Sequence, residues 1–154
     1  MKRNPTKRGF TLVEIMVVVV IIGLLAAIAI PTVAKATEIS RHTRFASDVR
    51  TFSGLLETFI FESSSYPEDS SSGEIPAGFE EYIKVSDWQM GPTIGGVYDV
   101  ELDSFGITSA IGVHNYTISD AELARFDARY DDGSFDTGNY RVIGAKRYYY
   151  ILAE

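Results

Sequence analysis

Glu14 stands at the head of an otherwise uncharged run, "GFTLVEIMVVVVIIGLLAAIAIP" (Gly9–Pro31), four positions after Phe10. A carboxylate inside a hydrocarbon layer costs about 2.5–3.5 kcal/mol, so a segment that keeps one needs a partner for it. Four residues make about one helical turn. A cut between Gly9 and Phe10 creates an α-ammonium at Phe10, one turn from Glu14. That cation can pair with the carboxylate of its own chain or of a neighbour, and either pairing cancels the charge that opposes burial.

The run is long enough to matter for a membrane. Ile15–Ala34 carry no charge, and about 20 residues at 1.5 Å each span a hydrocarbon core of about 30 Å. The β-branched stretch Val17–Val20 lowers helicity in water, but in lipid every backbone donor must be bonded internally, so helix is expected. Lys2, Arg3, Lys7 and Arg8 precede the run and place that end on the cytoplasmic side, with everything after Pro31 outside. Such a segment reads as a signal anchor, as a secretory signal cleaved near Ala27-Ile28-Ala29 or Ala34-Lys35-Ala36, or as a segment cut ahead of the apolar run. Only the third reading gives Glu14 a purpose.

"KRGFTLVE", followed by the unbroken apolar run and Pro31, resembles the N-terminal signal of type IV pilins and type II secretion pseudopilins. The resemblance implies that a membrane aspartyl peptidase cuts after Gly9 and methylates the new terminus at Phe10. It also implies that Glu14 serves filament assembly and that Pro31 kinks the helix. By the same resemblance the partners are other copies of the chain in a helical filament, the prepilin peptidase and methylase, an inner-membrane assembly platform and minor (pseudo)pilins. The location implied is the bacterial inner membrane, single-pass, with the head in the periplasm or, once assembled, periplasmic or at the cell surface. The expected function is that of a structural filament subunit, a pseudopilin that helps drive protein export. The alternatives are a type IV pilin, forming a surface fibre for adhesion, motility or DNA uptake, and, from another class, a membrane-anchored binding domain. The chain has no cysteine, which weighs against pilins that staple a C-terminal loop with a disulfide.

Charge agrees with a role outside nucleic-acid binding. The chain holds 14 basic and 21 acidic residues, and without Lys2, Arg3, Lys7 and Arg8 the basic count falls to 10. An acidic head of this kind does not bind phosphate backbones by neutralising them. With 154 residues there is room for one compact domain and an appendage.

The elements behind the run follow from periodicity. Phe45, Val49, Phe52, Leu56 and Phe59 alternate steps of four and three, an amphipathic helical pattern. The expectation is a basic leader over 1–9, an assembly helix over 10–34 and a head over 35–154. The head contains a helix to about residue 63, a loop over 64–92 rich in Ser, Pro and Gly, and a sheet region over 93–154. Within the loop region, Phe79–Pro92 could hold a short helix or turn with Tyr82, Ile83 and Trp88 against the core. Strands are predicted at Thr93–Leu102 and Phe105–Ile118, joined through Asp103-Ser104, and at Asn139–Gly144 and Lys146–Ala153, with a helix over Ser119–Gly133 between the pairs. The fold class is α+β: a long N-terminal helix, apolar in its first half and amphipathic in its second, on a small antiparallel sheet.

Other chemistry finds little footing. His42 and His114 fall on different predicted elements, without a nucleophile or H-E-x-x-H spacing, so no enzyme and no catalytic residue is expected. Asp127, Asp131, Asp132 and Asp136 surround Gly133, and the resemblance raises calcium, which some major pseudopilins hold with C-terminal loop oxygens. The spacing does not match an EF-hand loop, and the set reads as a solvated turn at a helix end, with no metal as the expectation. Asp99, Glu101 and Asp103 alternate along a strand and read as its solvent face. Arg41, Arg44 and Arg50 are expected to meet lipid headgroups or acidic neighbouring subunits.

Overall fold

A computed structural model of the chain describes residues 9–154. The expected leader, apart from Gly9, lies outside the described residues. The chain divides into two units, one ending at Ile39 and one running from Ser40 to Glu154. Helix α1, Leu12–Ser63, contributes to both.

In the first unit α1 is apolar on every side. Its large apolar side chains from Leu12 to Val33 are each 51–75 % exposed, so this half of the helix presents apolar surface all round. The helix continues through Pro31, whose ring removes one backbone donor. One residue later the Thr32 hydroxyl donates to the Ile28 carbonyl at 2.9 Å, a back-bond of the kind that bends helices.

In the second unit the four-and-three spacing becomes a buried face. Phe45, Val49, Phe52 and Leu56 are at most 5 % exposed. They pack on a four-stranded antiparallel sheet made of β1 (Val97–Ser104), β2 (Ile107–His114), β3 (Tyr140–Gly144) and β4 (Arg147–Ala153). The strand order is β1-β2-β4-β3, so two hairpins lie side by side through β2 and β4. Between them runs α3, Asp120–Tyr130, capped by the Ser119 hydroxyl accepting from the Glu122 N–H at 3.2 Å. A single 3-10 turn (Phe79–Glu81) and a short helix α2 (Val85–Met90) break the long connection after α1. Trp88 of α2 lies 5.3 Å from Phe52 and 5.4 Å from Tyr98, ring centre to ring centre, and its indole N–H donates to the Gly73 carbonyl at 3.0 Å. It is a packing residue.

Three strand limits differ from those predicted. β1 begins at Val97 rather than Thr93, because Gly95 and Gly96 take φ of 82° and 83° and turn the chain close under β2's end. A Cβ on Gly96 would stand 2.2 Å from the His114 carbonyl oxygen, so no other residue fits. The first hairpin turns at Phe105-Gly106, not at Asp103-Ser104. Ser104 pairs with Ile107 across a two-residue loop whose φ angles are 54° and 78°, the positive pair of a type I′ turn. β2 stops at His114 instead of Ile118, as Asn115 turns the chain at φ 60°.

Of the three acids on β1 expected to face solvent, Asp103 does, and the expectation is corrected for the other two. Asp99 is 1 % and Glu101 7 % exposed. Their parity is as read, since Tyr98, Val100 and Leu102 belong to the core under α1, but the far face is itself covered. Ile107, Ala110, Tyr149 and Ile151 form a second small core, with Ile143 against it. The loop around Ser72 closes over Asp99, its hydroxyl donating to Asp99 Oδ2 at 2.7 Å.

Candidate functional site

The residues ahead of the apolar helix form a small reciprocal structure. Thr11 is the N-cap of α1 and Glu14 its third residue. The Thr11 backbone N–H donates to Glu14 Oε2 at 2.9 Å and the Thr11 hydroxyl donates to the same oxygen at 3.0 Å. In return the Glu14 N–H donates to Thr11 Oγ1 at 3.2 Å. This is a capping box, which satisfies two backbone donors that the first turn of a helix otherwise leaves open. It also holds the carboxylate on the Thr11 backbone N–H, and it places a negative charge at the positive end of the helix dipole. Phe10 is 83 % exposed, and Gly9 before it has no neighbour within 4 Å of where a Cβ would stand. Gly9 and Phe10 are therefore both exposed among the described residues.

Thr11 was overlooked in the sequence, although its signal was legible: Thr11-x-x-Glu14 directly before an apolar run is the capping-box pattern. Pro31 stands within α1, seventeen residues beyond Glu14.

Elsewhere the polar clusters are structural. Arg147 lies between Asp99, at 3.3 Å, and Glu101, with which it makes a close ion pair. The Tyr149 hydroxyl donates to Asp99 at 2.5 Å. Gly112 makes this geometry possible, because a Cβ there would stand 2.5 Å from Tyr149 Cα and 2.9 Å from its ring. Phe105 lies over the Arg147 guanidinium at 5.3 Å, and the acid contacts raise the Tyr149 phenol's affinity for its proton together with burial, which is the larger cause.

Asp127, expected in a solvated turn, is instead fully buried on α3, which is a second correction. The Tyr148 hydroxyl donates to it at 2.5 Å. Burial pushes its carboxyl above the usual carboxylate value, with the Tyr148 bond opposing. Asp131 and Asp132 hold the following loop. Asp131 accepts from the Tyr140 N–H at 2.7 Å. Asp132 accepts from the Thr137 hydroxyl at 2.6 Å and the Ser134 N–H at 2.9 Å, and these donors hold its carboxyl below the usual range. Among the described residues no three His, Cys, Asp or Glu side chains come together as a metal would need.

The histidines are apart. His42 is buried edge-on to Phe126 with its Nε2 3.4 Å from Glu122, and His114 Nδ1 shares a hydrogen bond with Ser72 Oγ at 2.9 Å. Arg41, expected to meet lipid or neighbouring subunits, bonds Glu122 of its own chain at 2.8 Å.

Residues 4–30 match the family model described as a prokaryotic N-terminal methylation motif. Over its N-terminal part the chain is also similar to pilins and pseudopilins. It is 40 % identical over 65 residues to the type IV major pilin protein PilA of Myxococcus xanthus, covering 42 % of this chain and 30 % of that one. It is 39 % identical over 61 residues to the type II secretion system core protein G of Klebsiella pneumoniae, covering 40 % and 44 %. To core protein G of Escherichia coli K12 it is 36 % identical over 67 residues, covering 44 % and 46 %. The chain spans less than half the length of these curated relatives. No solved structure matches it.

Proposed function

We propose that this chain is a pseudopilin of a type II secretion system, a structural subunit rather than an enzyme. A prepilin peptidase cuts it at Gly9–Phe10 and methylates Phe10, and an inner-membrane platform adds it to a helical filament with further copies and minor subunits. The observation that carries this reading is the uncovered helix from Leu12 to Val33, whose only carboxylate, Glu14, is held by Thr11 at its head. Before assembly that helix spans the inner membrane, with the basic residues ahead of it holding the leader in the cytoplasm and the Ser40–Glu154 unit in the periplasm. On docking, the Phe10 ammonium of a neighbour meets Glu14, and the pair sets the axial stagger while the helices bury their apolar surface. Pro31 lets the helix bend as it leaves the membrane for the fibre.

Similarity to core protein G of several bacteria supports the secretion reading. Similarity to the Myxococcus PilA favours a second, a type IV pilin. The mass of the chain extracted from membranes tests the shared part. A chain beginning at methylated Phe10 is expected, and one beginning at Met1 rejects it. Deleting the gene separates the two readings, since a pseudopilin's loss leaves secreted proteins in the periplasm, whereas a pilin's loss removes surface fibres and leaves export unchanged.

A further inference from the structure

Where the last turns of α1 pass the ends of β2 and β4, the second unit leaves a groove of about 260 Å³. Its apolar walls include Ile60, Phe61, Tyr66 and Leu152, with Glu57 and Ser109 also lining it. Phe61 is 86 % exposed, the most of any large apolar residue in this unit. Ser109 is fully buried, and its hydroxyl has no hydrogen-bond partner. A buried hydroxyl left open costs stability, and the groove beside it has room for an apolar side chain. Glu57 makes no ion pair among the described residues, which adds a demand for a cation.

The same unit carries a knob with those properties. Met90 ends α2 and is 65 % exposed. Its sulfur accepts a hydrogen bond from Arg44 Nη2 at 3.1 Å, and the Arg44 side chain is itself 56 % exposed with only a long 3.7 Å pair to Asp48. A flexible thioether with a guanidinium beside it is an apolar plug and a cation in one place. Cations are scarce here. From residue 40 onward the chain has nine basic side chains against nineteen acidic ones, so two copies approaching each other repel unless a cation of one meets a carboxylate of the other.

Knob and groove lie apart within one chain. Arg44 and Glu57 are thirteen residues apart on α1, about 20 Å along the axis and about 140° around it. Two different patches on different faces make a heterologous contact, which propagates as an open polymer where the rotation between copies does not close a ring.

We propose that the second unit of one copy docks on the next by inserting Met90 into the Phe61 groove, with Arg44 pairing with Glu57 across the contact. This contact between heads rests on the filament reading above, and it gives the heads a register of their own besides the one set by Phe10 and Glu14.

The chain has no cysteine, so single cysteines report the contact without background. Full-length Phe61→Cys and Met90→Cys chains are co-expressed in native membranes and oxidised. Cysteine keeps a small apolar sulfur side chain at the knob. The expected result is a disulfide dimer that needs both variants and is absent when Thr51→Cys replaces Phe61→Cys. Adding Arg44→Glu to the Met90→Cys chain should lower the dimer yield about fivefold, the size of an exposed ion pair, and Glu57→Arg on the Phe61→Cys chain should restore it. No dimer above the Thr51→Cys control, or a yield indifferent to both charge reversals, overturns the contact. Sedimentation of the same membranes scores polymer separately. Polymer without the dimer rejects this contact and keeps the filament reading. The dimer without polymer keeps the contact and rejects the filament. Neither rejects both.

Discussion

Thr11 and Glu14 close on each other at the head of α1, with both Thr11 donors, backbone N–H at 2.9 Å and hydroxyl at 3.0 Å, on the single oxygen Glu14 Oε2. The carboxylate is therefore fixed on Thr11 before any neighbour arrives, with both of these donors on one of its two oxygens. Thr11→Val keeps the size and branching of the side chain but removes the hydroxyl. The variant should be cut and methylated normally, while sedimentable filament falls several-fold; Thr11→Ser should restore it. Equal filament yields for Val and Thr would show that the capping hydroxyl plays no part in assembly.

Glu14→Ala removes the acceptor altogether. A cut at Gly9–Phe10 requires only the exposed bond, so mass spectrometry should still find methylated Phe10 as the terminus. Filaments should be lost, because an ammonium arriving in the apolar layer then has no counter-charge. Glu14→Gln separates charge from hydrogen bonding. It keeps an oxygen for the Thr11 donors and should cap the helix, yet still fail to assemble. Filaments from the Ala variant at the native level would remove the Phe10–Glu14 pairing from the mechanism.

How much of this was legible before the structure depends on distance along the chain. The helical half of the core was written in one continuous signal, because Phe45, Val49, Phe52 and Leu56 face one way by spacing alone and end up at most 5 % exposed. The apolar run and its lone acid were equally local. Strand limits were less so: β-branched residues extend on both sides of Gly95-Gly96 and of Asn115, and only the positive φ there ends the strands. The acids of β1 were misread for a deeper reason. Alternation tells which residues share a face and is silent about what covers it. The cover over Asp99 and Glu101 comes from Ser72, Tyr149 and Arg147, tens of residues away in either direction.

That cover makes Arg147 a keystone of the sheet. It faces two carboxylates, Asp99 and Glu101, whose side chains are 2 % and 9 % exposed. Replacing it with Met keeps most of the volume but leaves two like charges buried side by side. Removing one partner of a buried pair costs about 3–5 kcal/mol. For a unit of this size that corresponds to a melting temperature lower by at least about 10 °C, read by thermal unfolding of the detergent-solubilised chain. Adding Asp99→Asn and Glu101→Gln should recover much of the loss. A single Arg147→Met chain that melts with the native one would show that these acids are neutral or hydrated without it.

Asp127 makes the opposite demand on pH. Its carboxyl is raised above the ordinary 3.8 by burial, so the folded chain holds this proton more tightly than the unfolded one. The stability it contributes is complete below the ordinary value and is lost as pH rises through the raised one. Asp127→Asn keeps an oxygen to accept from Tyr148 and has no proton to lose. The difference in melting temperature, Asn variant minus native, should thus grow as pH rises from about 4 toward neutrality and level off once the native carboxyl has ionised. A difference that stays flat over that range, or shrinks, would mean that the buried carboxyl is ionised throughout and is stabilised by the donors around it.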